Sequence, residues 1–130
     1  MNNNLIIKQS THESDTHCLE MTPANIAMAV ISYREKVRGL LADKLDSIYL
    51  FGSVARGDYT PVSDIDIMLI LDMTDDEIRK MRSELTKIGS DLGLDYNVLF
   101  NKFTANKNEF EINQDIRPLY INIIKEGIRL

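Results

Sequence analysis

The segment Asp64-Ile65-Asp66-Ile67-Met68-Leu69-Ile70-Leu71 restricts the fold more than any other part of this chain. Its second half is continuously apolar, as in a strand covered on both faces, and a strand of that kind belongs in the middle of a sheet. The rest of the chain must supply neighbouring strands and helices for both sides. Ser47-Ile48-Tyr49-Leu50-Phe51 reads as a second short buried strand that stops at Gly52. Before it, Ile26, Val30, Val37, Leu40 and Leu41 recur on one helical face. That helix is expected to start at Thr22-Pro23, a capping residue followed by a proline tolerated at the first helical position, and to end near Asp43.

Beyond the apolar strand, Thr74 and Glu77 have the spacing of a capping box, and Ile78, Met81, Leu85 and Ile88 form the stripe of the helix that follows. Gly89 or Gly93 is expected to end it. Leu94 to Phe100 then reads as a third strand, and the polar stretch after it as a connection. A last helix carries Ile116, Leu119, Tyr120, Ile123 and Ile124, with Asp115 as its cap, Pro118 in its first turn and Gly127 as its stop. The order helix, strand, strand, helix, strand, helix implies an α/β (α+β) fold with a small mixed sheet flanked by helices.

The chain has 130 residues, room for one domain, expected over residues 22–130 behind a loose polar arm at 1–21. His12, Glu13, His17 and Cys18 in that arm fit no familiar metal spacing. Cys18 is the only cysteine, so no internal disulfide can form. No apolar run approaches the length of a signal or membrane segment, and a cytoplasmic location is expected. The net charge of −5 argues against unaided grip on a phosphate backbone, so no direct nucleic-acid binding is expected. Nucleotides stay within reach if metal ions neutralise the carboxylates locally.

Chemistry gathers where the two buried strands meet. Gly52 lets a phosphate approach the backbone closely, and a short helix over Ser53-Val54-Ala55-Arg56 would aim its first amides, with the Ser53 hydroxyl, at that phosphate. Asp64 and Asp66, two apart on a strand, point to the same side at a spacing of roughly 6–7 Å. Paired carboxylates at the mouth of an apolar strand repel each other unless a hard divalent cation sits between them, and magnesium takes such ligands together with substrate phosphates. Either element alone is weak: a Gly-Ser pair is mostly an ordinary turn, and an Asp-x-Asp is as often a solvated pair.

In combination, GSVARGDYTPVSDID at residues 52–66 resembles the signature of the minimal nucleotidyltransferases of the DNA polymerase beta superfamily. The resemblance extends over roughly residues 45 to 125, including the strand–helix–strand that follows the signature, and the ending from Asp115 to Ile128 also looks like the tail of bacterial members. It implies the nucleotidyltransferase fold and Mg2+-dependent transfer of a nucleoside monophosphate from ATP or another nucleoside triphosphate to a hydroxyl. It also implies two ions on Asp64 and Asp66, terminal phosphates on Gly52 and Ser53, and Arg56 offsetting charge on the departing pyrophosphate. A third carboxylate, on the strand beside the pair, completes the set in the family. Asp95 is the candidate, although Asn97 interrupts the apolar run seen in relatives. A register shift of one strand step would put the Asn97 amide there instead, and an amide cannot act as a base.

Small members of this family resemble antitoxins paired with a toxin of the HEPN class, and some adenylylate a toxin tyrosine. An acidic chain without an acceptor-binding domain suits that arrangement. Two alternatives stand beside it: a non-catalytic antitoxin-like module of the same fold, and transfer to a small molecule such as an aminoglycoside. The base, the acceptor, the oligomeric state and the role of residues 1–21 are not written in the sequence.

Overall fold

The computed structural model describes residues 23–60 and 63–130. The polar arm, Thr22 and Pro61 lie outside the described residues. The elements in chain order are α1 (Ala24–Leu41), a 3-10 turn (Ala42–Lys44), β1 (Leu45–Phe51), α2 (Gly52–Arg56), β2 (Ile65–Leu71), α3 (Asp75–Tyr96), β3 (Phe100–Asn106), α4 (Lys107–Asn113), α5 (Pro118–Glu126) and β4 (Ile128–Arg129). They form the expected α/β fold around a mixed four-stranded sheet of order β3-β2-β1-β4. β1 runs antiparallel to β2 and β4, while β2 and β3 are parallel.

β2 is indeed internal, and every one of its residues except Asp66 is buried. Its side chains alternate between two cores. Ile65, Ile67, Leu69 and Leu71 pack on the face covered by α1 and α3, with Val30, Tyr33, Val37 and Leu85. Met68 and Ile70 pack on the other face with Phe110 of α4 and Tyr120 and Ile123 of α5. Each buried aliphatic side chain contributes about 1.5–3 kcal/mol. The six on β2 therefore outweigh the cost of holding one half-buried carboxylate among them.

Four readings of the sequence are corrected. α3 does not end at Gly89 or Gly93 but runs through both to Tyr96, and Asn97 closes it in the left-handed conformation, φ 57°. Its apolar stripe continues to Leu92, so there is buried surface to support the added turns. The glycines serve packing instead of termination. A side chain at Gly93 would come within 2.7 Å of the Val98 carbonyl oxygen, and one at Gly89 would touch Phe100. As a result the third strand is not Leu94 to Phe100; it begins at Phe100 and ends at Asn106. Leu94 and Leu99, which made that run look like a strand, are exposed.

The stretch read as a polar connection holds α4, capped by the Asn106 side chain accepting from the Glu109 amide at 2.7 Å. The capping box forms as expected, with the Thr74 hydroxyl accepting from the Glu77 amide and the Glu77 carboxylate from the Thr74 amide. Pro118 takes the first position of α5, and Arg117, in place of Asp115, precedes it as the cap. Gly127 ends that helix. None of the described helices is long and apolar enough to cross a membrane.

Candidate active site

The site grows out of the end of β1. The chain leaves Phe51 and turns at Gly52, φ +77°, into the five-residue α2, which closes at Gly57, φ +85°. Both backbone conformations favour glycine, since a Cβ there crowds the neighbouring carbonyl. Between these turns the Ser53 carbonyl accepts from the amides of Gly57, at 2.9 Å, and Asp58, at 3.2 Å. The amides of Gly52 and Ser53 open the helix and have no carbonyl within it to bond.

β2 brings the carboxylates to this turn. Phe51 pairs with Asp66 in the antiparallel register, so Asp66 stands beside the residue that enters the glycine turn. The contact is intimate: a Cβ on Gly52 would overlap a carboxylate oxygen of Asp66 and lie 3.1 Å from its Cγ. Gly52 is therefore required twice, by its backbone angle and by the acid packed against it. Asp64, just before β2, lies close enough for its charge to act on Asp66, and both acids are half-buried.

Asp66 faces the same side of the sheet as Met68 and Ile70. α4 and α5 bury that pair but leave the row of Asp66 partly open. Burial raises the Asp66 carboxyl above its ordinary value. A hydrogen bond from Asn101 opposes the shift, the charge of Asp64 adds to it, and the charge of Arg56 opposes it.

The sequence-derived residues separate into two groups. Gly52, Ser53, Arg56, Asp64 and Asp66 come together. Arg56 is exposed on α2 and tied to acids, its Nε 3.2 Å from Asp58 Oδ2 and its Nη1 3.6 Å from Glu126 Oε1. Asp95 does not join them. It is an exposed residue near the end of α3, in a groove shared with Lys36 and Leu40 of α1. The strand expected to carry it is helix at that point, and the expectation of a third carboxylate at Asp95 is corrected accordingly. Asn97, the alternative, is the helix cap.

The residue that faces the pair from the neighbouring strand is Asn101. It pairs with Asp66 in the parallel register of β2 and β3, and its Nδ2 donates to Asp64 Oδ2 at 3.4 Å. Sequence reasoning missed it, because nothing local marks an Asn in Phe-Asn-Lys-Phe-Thr-Ala as a site residue. Only the register places it. Among the described residues, no three of His, Cys, Asp and Glu gather closely enough to hold a metal ion.

The chain is similar to known proteins. The profile of the family described as "Polymerase beta, Nucleotidyltransferase" matches residues 35–129. Two proteins of Methanocaldococcus jannaschii, both provisionally named protein adenylyltransferases, are similar to the chain. One is 33% identical over 75 residues, which is 58% of this chain and 74% of the relative. The other is 33% identical over 99 residues, 75% of this chain and 86% of the relative.

Proposed function

The chain belongs to the polymerase beta nucleotidyltransferase family, and from that premise we propose that it transfers AMP from ATP to a hydroxyl on a partner protein. The observation that carries this reading is the packing of the Asp66 carboxylate onto Gly52, which puts the acid beside the glycine turn that opens α2. Gly52 and Ser53 would hold the terminal phosphates through the amides opening α2 and the serine hydroxyl. Asp64 and Asp66 offer hard oxygen ligands suited to magnesium. When bound, the ion would neutralise charge on the triphosphate as the acceptor oxygen bonds to the α-phosphorus and the bond to pyrophosphate breaks. Arg56, held beside α2 by Asp58 and Glu126, would offset charge on the departing pyrophosphate.

A protein acceptor is supported by the names of the two similar proteins and by the net charge of −5, which disfavours nucleic acid. The partner proposed is a HEPN-class toxin protein. Incubation with magnesium and ATP labelled at the α-phosphate should label the product of the neighbouring gene, while label at the γ-phosphate should not transfer. Asp64→Asn should abolish both the labelling and magnesium-dependent nucleotide binding. Unchanged binding in that variant would overturn the site.

A second reading has its own support. An amide, Asn101, occupies the place beside the acid pair, as it would in a docking module that kept the fold without the reaction. Tight complex formation with the neighbour's product and no transfer of label would favour that module.

A further inference from the structure

We propose that the groove between α3 and the outer edge of β3 is a docking site for an extended acidic peptide segment of a partner protein. β3 stands at the end of the sheet and pairs with β2 alone among the described strands. Such an edge presents backbone N–H and C=O groups that an added strand can take up. Beside it lies a groove of about 900 Å³, lined by Arg82 of α3 and Lys102 of β3. Among the described residues neither cation forms an ion pair with an acid. Lys102 alternates with Phe100, which stacks on Tyr33 in the core under α1 and α3. The groove is thus on the opposite face of the sheet from Asp66, and the proposal stands apart from the transferase reading.

Charge selects the occupant. Lys102 is half-buried, so its ammonium has lost water without gaining a counter-charge. Burial, and after it the charge of Arg82, hold that ammonium below its ordinary pKa. A carboxylate placed between the two cations relieves both penalties. A lysine on an edge strand discourages further pairing in general, but this pair turns away basic strands and admits acidic ones. The strand itself favours a peptide over a free anion. Lys102 faces the groove, while Phe103, the next residue, is exposed on the other face. A segment that alternates acidic and apolar residues matches that order. Its carboxylates would meet Lys102 and Arg82, its apolar side chains Phe103, and its backbone the edge of β3. A free anion would satisfy the cations and leave the edge and the ring unused.

The test is fluorescence anisotropy with a labelled short peptide of alternating glutamate and valine. Two controls accompany it, one with lysine in place of glutamate and one methylated on every backbone nitrogen. Wild type should bind the first peptide and neither control. Arg82→Gln and Lys102→Met should each weaken binding about tenfold, the loss of one charge-assisted contact. Lys102→Met keeps the length of the side chain and should melt no lower than wild type, since it removes a charge without a partner. Inorganic phosphate at matched ionic strength should not displace the peptide. No binding by wild type, equal binding of either control, or undiminished binding in a folded Lys102→Met would each overturn the proposal. An early melt of Lys102→Met would do so by giving the ammonium a structural role, and displacement by phosphate by assigning the cations to a free anion.

Discussion

Substituting alanine at Gly52 separates the backbone role of this glycine from its contact with the acid, because Gly57 supplies a matched control. The two glycines flank α2 with nearly the same conformation, φ +77° and φ +85°. In that region a Cβ costs about 1–2 kcal/mol in either place. Both Gly52→Ala and Gly57→Ala should therefore lower stability by at least that amount, about 4–8 °C in Tm for a small domain. They differ in what the new methyl meets. At Gly57 there is nothing within 4 Å, whereas at Gly52 the methyl overlaps the Asp66 carboxylate. The acid must swing away or the turn must open, and either movement would take a charged ligand off the proposed metal–nucleotide complex. If that forfeits one charge-assisted interaction of about 1.5–3 kcal/mol, affinity falls roughly 10- to 150-fold. Titration calorimetry of Mg2+ with α,β-methylene-ATP, alongside thermal melts, reads both effects. Gly57→Ala should melt early and bind normally, and Gly52→Ala should melt early and bind poorly. Normal binding by a folded Gly52→Ala, or an equal loss in both variants, would refute the coupling between turn and acid.

Three further outcomes are expected. Asp95→Asn, an exposed change at the end of α3, should leave metal–nucleotide affinity unchanged and stability within about 0.5 kcal/mol in a denaturant melt; a loss of affinity would return Asp95 to the site. Tyr33 is fully buried, stacks on Phe100 at 4.7 Å between ring centroids, and its hydroxyl has no hydrogen-bond partner among the described residues. Burial pushes that phenol upward and keeps it neutral. Tyr33→Phe should thus match or exceed wild type in stability, by up to about 1–3 kcal/mol, and a drop in melting temperature would reveal a partner for the hydroxyl. Asp66, mainly through burial, has a folded-state pKa above its unfolded one. Its contribution is fully favourable below the unfolded value near 3.8 and is lost as pH rises through the higher folded value. In EDTA, Asp66→Asn should therefore be the more stable protein at neutral pH, with the gap closing toward pH 3; a gap independent of pH would contradict the shift.

By itself the sequence determined the centre of the molecule. β2 must be internal because Met68 to Leu71 leave it no face that tolerates water, and Gly52, Asp64 and Asp66 sit at adjoining strand ends whatever the remaining register. The capping box at Thr74 and the proline start of α5 were legible for the same reason: these signals act over three or four residues. Where α3 ends was not legible, since a glycine reads locally as a stop, yet Gly89 and Gly93 are small because Phe100 and the Val98 carbonyl lie against the helix. That longer helix moves the next strand to Phe100–Asn106, carries Asp95 away from the pair, and brings in Asn101. Tertiary structure alone decided which side chain stands beside the acid pair, because the pairing of two parallel strands depends on where the intervening helix packs, and no pattern within β3 records that distance.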